Sequence, residues 1–436
     1  MRDLLVVLFL LIAIFYSFKK PYIGVAAWIW IALAAPSKWA FGFSQQFRLN
    51  LTIVIITALS YFFYKNKHKV KLTAIHFWVF LFLAWMFLST AFHLQLDSEF
   101  VWSKLLEFSK VIVLFLFITL TVKTEKEINT IVWAIVLAIS AYAGMEAVKF
   151  IISGGGHRIV GKAGIIADRN DLAVAINMCL PLVVYLWSIV KHQKLKLGLL
   201  VLAVLNVIAI IGTYSRGGFI GLAVLAFAMW LKSNRKFVFF MIALVLLPVG
   251  YGIAPSDWKN RQSTVETAAI KDSSFIGRLW AWKIATLIAL DHPLTGGGFK
   301  ATNDPVLWNL YASETPTFAF DTPPIPSTQH QLVAHNIYFQ VIASAGFVGF
   351  YIFMHMLLLA YLVCKQNIKR STNVVDKSMS NLSKAISLSC VGYAITGMNV
   401  SLAYFELVYI LIGLIIAINH VVTEQLNTQK SNLKAQ

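Results

Sequence analysis

The 436 residues are 58% hydrophobic and only 13% charged, with a mean hydropathy of +0.73. That excludes an ordinary soluble domain, whose surface needs more charge, and points to a polytopic membrane protein. Lys and Arg outnumber Asp and Glu 37 to 19, a balance that would suggest nucleic acid in a soluble protein but must first be weighed against membrane topology here. Cys179, Cys364 and Cys390 show no CxxC spacing, so neither a disulfide framework nor a zinc site follows.

With about 20 apolar residues per crossing, candidate spans fall near 3–18, 21–36, 50–64, 74–93, 102–122, 128–152, 171–190, 196–213, 217–232, 236–254, 336–364, 383–399 and 401–422. The expected architecture is all-α and multi-pass, with about 12 or 13 transmembrane helices. The first run, "LLVVLFLLIAIFYSF", lacks a small-x-small cleavage site and reads as an uncleaved span. The expected organisation is N-terminal transmembrane helices over 1–254, a large outward loop over 255–335, C-terminal transmembrane helices over 336–422 and a cytoplasmic tail over 423–436.

The loops "YKNKHKVK" (64–71), "KTEKE" (123–127), "KHQKLK" (191–196), "KSNRK" (232–236) and "KQNIKRSTNVVDK" (365–377) are rich in Lys and Arg. They fall on every second connection, which assigns them to the cytoplasm. The other set comprises "HLQLDSEF", the 153–170 loop, the turn at 214–217 and the stretch 255–334, and alternation turns these outward. That last stretch holds six basic and seven acidic residues. The positive charge is therefore chiefly a topology signal, and no nucleic-acid partner is expected.

Ionisable groups inside a bilayer are costly, so their positions are informative. Glu107 with Lys110 and Glu146 with Lys149 are spaced as i,i+3 pairs in the outward halves of their helices, where Asn177 and Glu406 also lie. A polar, outward-opening cavity is one reading of these groups; self-neutralised ion pairs are the other. In "GGGHRIVGKAGIIADRNDLA" (154–173), Asp168, Asn170 or Asp171 would serve as a helix cap. Arg169 has no such explanation at a helix N-terminus and suits an anion site.

In "TYSRGGFIGL" (213–222), Gly217 and Gly218 permit a tight turn and Ser215 can cap the next helix, whereas Arg216 stands on the side where snorkelling arginines are scarce. An amphipathic helix over about 274–290 carries Arg278, Trp280 and Trp282 and would suit the membrane interface. In "LVAHNIYFQVIASAGFVGFYIF" (332–353), Asn336 can cap a long apolar helix. His335 just before it is either a hydrogen-bonded structural histidine or, with outward arginines to hold an anionic leaving group, a general base.

Taken in order, "TYSRGGFIGL", the loop containing "GRLWAWKIATLIALDHPLTGGGF" and "AHNIYFQVIASAGFVGF" resemble the O-antigen ligase and O-antigen polymerase superfamily over about residues 200–350, and "DRNDLA" upstream (168–173) also fits. The N-terminal part is most similar to the branch of O-glycosylation ligases that accompany exosortase systems. The resemblance implies a glycosyltransferase of the bacterial inner membrane with its active site facing the periplasm. Its donor would be a glycan on undecaprenyl pyrophosphate, and its acceptor a hydroxyl of lipid A-core or of a protein. Carried over by motif, His335 is the catalytic base, and Arg216, Arg278 and, less directly, Arg169 engage the pyrophosphate. Tyr214, Asn336, Asn170 and Asp168 would support them, with no metal and no cofactor. A polymerase sharing the donor chemistry is the alternative, and a lipid-linked glycan transporter a more distant one.

Overall fold

The computed structural model describes residues 2–38, 42–67, 71–161, 164–232, 273–312, 325, 333–371 and 377–435. The expected span at 236–254 lies outside the described residues. Within them the chain is an all-α, polytopic membrane protein, and no strand occurs.

The helices in chain order are α1 (Arg2–Lys19), α2 (Pro21–Ala34), α3 (Leu49–Phe63), α4 (Ala74–Ala91), α5 (Ser98–Thr121), α6 (Glu125–Ile152), α7 (Arg169–Ile189), α8 (Gln193–Gly212), α9 (Arg216–Lys232), α10 (Ser273–Asp291), α11 (Pro305–Ala312), α12 (Ile337–Arg370), α13 (Ser378–Thr396) and α14 (Glu406–Ala435). Among the described residues, six are long and apolar enough to cross a bilayer: α4, α6, α7, α8, α12 and α14. The apolar helices α2, α3 and α9 are shorter. α6, α7 and α14 are mostly buried inside the bundle, whereas α1 and α8 turn Leu4, Leu8, Leu11, Leu197, Val201 and Val204 outward. An apolar outer face is what a lipid surround requires.

The loops assigned outward meet one another at one end. Leu94 N–H donates to Gly297 O, Tyr214 Oη to Gly155 O, and Ile159 N–H to Gly212 O. Connections of the basic set meet at the other end, where Ser378 Oγ donates to Glu125 Oε1 at 2.6 Å and Arg370 Nη1 to Asn419 Oδ1 at 2.9 Å.

α12 is interrupted at Gly346, whose φ of 66° and ψ of −171° belong to no helix. A break at membrane depth strands backbone groups that lipid cannot satisfy. Here the loop after α10 fills it. Gly297 and Gly298 N–H donate to Ala343 O and Ser344 O at 2.8 and 3.1 Å, Trp85 Nε1 donates to Ala345 O at 3.1 Å, and Phe347 N–H donates to Pro293 O at 2.8 Å. The glycines are needed for this approach: a Cβ on Gly346 would stand 2.5 Å from Pro293 O, and one on Gly296 2.6 Å from Ala343 O. Gly346→Ala should therefore lose about 1–3 kcal/mol from the positive φ alone, with the clash adding to it. The check is thermal unfolding in detergent, where wild-type stability in the variant would contradict this packing.

Two sequence expectations are corrected. Glu107 pairs with Lys104 at 2.8 Å and not with Lys110; both lysines are three residues away, so the spacing alone does not choose between them. The final span begins at Glu406 and not near 401, since residues 397–405 form a short 3-10 turn followed by a non-helical connector. Glu146 does pair with Lys149, at 2.6 Å, and also with His157 Nε2 at 2.7 Å.

Candidate active site

At the end where the outward-assigned loops meet, α7 and α9 begin and α12 is entered. α7 is capped by Asp168, whose carboxylate accepts from Asn170 N–H at 2.7 Å. This places Arg169 at the first helical position, half-buried, with Asn170 beside it.

α9 starts at Arg216 after a turn in which Ser215 Oγ accepts from Gly218 N–H at 3.1 Å. Its glycines let it wedge between neighbours: a Cβ on Gly218 would meet Ala173 Cβ at 2.6 Å, and one on Gly217 would meet Asn399 at 2.7 Å. The fully buried Asn177 ties α7 to α9 by donating to Ala173 O and Gly218 O at 2.9 and 3.0 Å. Tyr214 adopts φ 53° and sends its hydroxyl to Gly155 O at 2.6 Å, fastening the turn to the 153–156 loop.

Arg278 on α10 donates from Nη1 to Asn399 Oδ1 at 3.0 Å. The same helix supplies Trp282. Instead of lying toward lipid, this tryptophan stacks on Phe339 with centroids 5.1 Å apart and planes 4° from parallel, and its Nε1 donates to Ala334 O at 2.8 Å. The inward turn follows from the burial of Ala281, Ile284, Ala285 and Ile288 on this helix. The backbone just before His335 is thereby pinned.

His335 has φ 44°, a left-handed conformation that costs a non-glycine residue about 1–3 kcal/mol and needs surroundings that impose it. They do: Ala334 O is held by Trp282, His335 N–H donates to Ser401 Oγ at 3.0 Å, and Asn336 caps α12 through Tyr338 N–H at 2.9 Å. Burial first, then the charge of Arg278, lowers the imidazole's pKa below its ordinary value, and Asp168 opposes this. His335, Arg278 and Asp168 therefore share one electrostatic neighbourhood, and Arg216 borders it through Gly217 and Asn399. Asn336 sits 2% exposed at its cap, so its side chain is occupied by the helix end.

Sequence reasoning passed over Lys300, Asn399 and Ser401. Lys300 has φ 57° and follows the glycine run. Burial and then Lys104 lower its pKa, while Glu107 and Asp171 oppose them, so it faces the same charged region. Of the four non-glycine residues with positive φ among the described residues, three (Tyr214, Lys300 and His335) lie in the loops that build this site, and such clustering is typical of functional sites. Nothing in the local sequence around Asn399 or Ser401 signals a partner, because their partners are distant in the chain.

Residues 200–354 match the family model described as O-Antigen ligase, and residues 1–190 match that of a family of unknown function. No curated protein matches the chain. The first match contains α9, α10, the start of α12 and with them Arg216, Arg278 and His335. Residues 200–354 of this multi-pass membrane protein are thus an O-antigen ligase domain, and the likeness to that superfamily rests on them.

Proposed function

We propose that the protein transfers a glycan from undecaprenyl pyrophosphate to an acceptor hydroxyl, of lipid A-core or of a protein, on the periplasmic side of the bacterial inner membrane. The observation that carries this reading is that one connector holds both residues, Asn399 the Arg278 guanidinium and Ser401 the His335 N–H, with the histidine in an imposed backbone conformation and its pKa lowered by burial and by Arg278. A neutral imidazole accepts a proton, and an arginine beside it holds an anionic leaving group.

In the reaction, His335 takes the acceptor hydroxyl's proton as that oxygen attacks the anomeric carbon. The bond from carbon to pyrophosphate breaks, and its electron pair leaves with the phosphate oxygen. Arg278 and Arg216 bind the diphosphate and offset the charge that grows on it, by charge-assisted and bidentate contacts that a lysine would not reproduce. Arg169 extends this positive rim, and Asp168, Asn170 and Tyr214 hold the two helix starts that present it. Attack opposite the leaving group inverts the anomeric carbon, and a product retaining the donor's configuration would contradict it. No step is routed through a metal or cofactor.

A transporter reading would draw on the discontinuous helix α12, since broken helices serve ion and substrate sites in transporters. In this chain the carbonyls freed at the break accept hydrogen bonds from Gly297, Gly298 and Trp85, which leaves the break packed with protein.

The test offers the purified protein a glycan-loaded carrier with lipid A-core, a periplasmic protein and the carrier-linked glycan itself as acceptors. Transfer to either of the first two identifies the acceptor, and growth of the carrier-linked glycan alone makes the protein a polymerase. No transfer to any of them by folded protein would sink the proposal.

The pH profile is a further check. The base works only when neutral, so activity falls as pH drops through the pKa of His335. Because burial and Arg278 lower that pKa, the acid limb should lie below about 6.5, the ordinary histidine value. Arg278→Gln removes a charge that opposes protonation and should move the limb of its residual activity toward higher pH. An unmoved limb would contradict the pairing.

A further inference from the structure

The connector between α13 and α14 touches both principal residues of the site, Arg278 at its guanidinium and His335 at its backbone. Asn399 Oδ1 accepts from Arg278 Nη1 at 3.0 Å, and two residues on, Ser401 Oγ accepts from His335 N–H at 3.0 Å. Between them, Val400 is extended, at φ −144° and ψ 159°, and 1% exposed. In an extended backbone, residues i and i+2 share a face, so the amide and the hydroxyl project together while Val400 anchors the opposite side.

The connector is itself fixed. Val400 N–H donates to Gly397 O, Ala403 N–H donates to Gln340 Oε1 at 3.0 Å, and Tyr393 Oη donates to Leu402 O at 2.9 Å. Gly217, next to Arg216, lies against Asn399 so closely that a Cβ there would stand 2.7 Å from the Asn399 side chain. One short segment thus sets the Arg278 guanidinium, the His335 backbone and the start of α9 relative to one another. It also lies beyond residues 200–354, outside the matched O-antigen ligase domain.

We infer that Asn399 and Ser401 are a pair of positioning residues, Asn399 aiming Arg278 at the leaving diphosphate and Ser401 holding His335 at the acceptor. This rests on the reading of Arg278 and His335 given above. A neutral acceptor is the right choice for Asn399: it orients the guanidinium without cancelling the charge that the diphosphate needs. A serine hydroxyl likewise fixes the His335 backbone and leaves the ring free.

The test uses the full-length protein in detergent and undecaprenyl pyrophosphate, the carrier without its glycan, as the binding probe, with Arg278→Ala as reference. Asn399→Ala should weaken carrier binding about tenfold. Asn399→Asp keeps the shape and the acceptor but places a carboxylate against the guanidinium, so it should bind more weakly than Asn399→Ala while unfolding at a higher temperature. A purely structural asparagine predicts that Asn399→Asp binds like the wild type. Ser401→Ala should lower kcat about tenfold with carrier binding intact, and Ser401→Thr, which retains the oxygen, should restore it. Wild-type binding by Asn399→Asp alongside lost binding in Arg278→Ala would overturn the role of Asn399, and unchanged kcat in Ser401→Ala that of Ser401. If Arg278→Ala itself binds the carrier normally, the diphosphate reading fails and this inference fails with it.

Discussion

His335→Ala should reduce kcat for glycan transfer by about 10²–10⁴-fold, the usual contribution of a positioned general base, with little change in donor binding. The donor is held by the arginines, which do not depend on the imidazole. Alanine at φ 44° carries its own backbone cost, so His335→Asn is the better control, because asparagine tolerates the left-handed region. Both variants should bind carrier and show that loss of kcat, and His335→Asn should also unfold near the wild-type temperature. Wild-type turnover in His335→Asn would return the histidine to the role of a structural residue ahead of the Asn336 cap.

Arg278→Ala should lower kcat/KM by about 10²–10³-fold, the range found when one preorganised donor to developing negative charge is removed. Part of the loss should appear in donor binding and part in kcat, because the ground-state diphosphate is already charged and becomes more so as the bond breaks. Arg278→Lys should recover little. A lysine keeps the charge but presents a single point donor in place of the guanidinium fork, and it loses the geometry of the contact to Asn399 at 3.0 Å. Full activity in Arg278→Lys would show that charge alone suffices. Measuring KM for the donor separately from kcat, in a single preparation of each variant, decides between the two.

These two predictions concern residues whose types and motifs were visible in the chain, and much else that was local was visible too. Helix positions followed from runs of apolar residues, and the alternation of basic and neutral loops sorted the connections into the two ends seen in the structure. The caps at Asp168, Ser215 and Asn336 were legible because each bond closes within two or three residues. The pair Glu146–Lys149 was equally local, whereas Glu107 had lysines at both i−3 and i+3, so spacing alone did not choose Lys104 over Lys110.

What only the tertiary structure decided lies between distant segments. Gly346 breaks α12 because a loop some fifty residues upstream (293–298) supplies the hydrogen bonds the break needs, and no pattern within the helix encodes that. Trp282 turns inward for the same kind of reason, since its partners Ala334 and Phe339 arrive from another element. Arg278 meets Asn399 across 121 residues and His335 meets Ser401 across 66. Hydropathy and capping act over a few residues and are written in the chain. The aim of a guanidinium or the φ of a histidine is set by packing that brings remote residues together, and it emerges only when the helices close on one another.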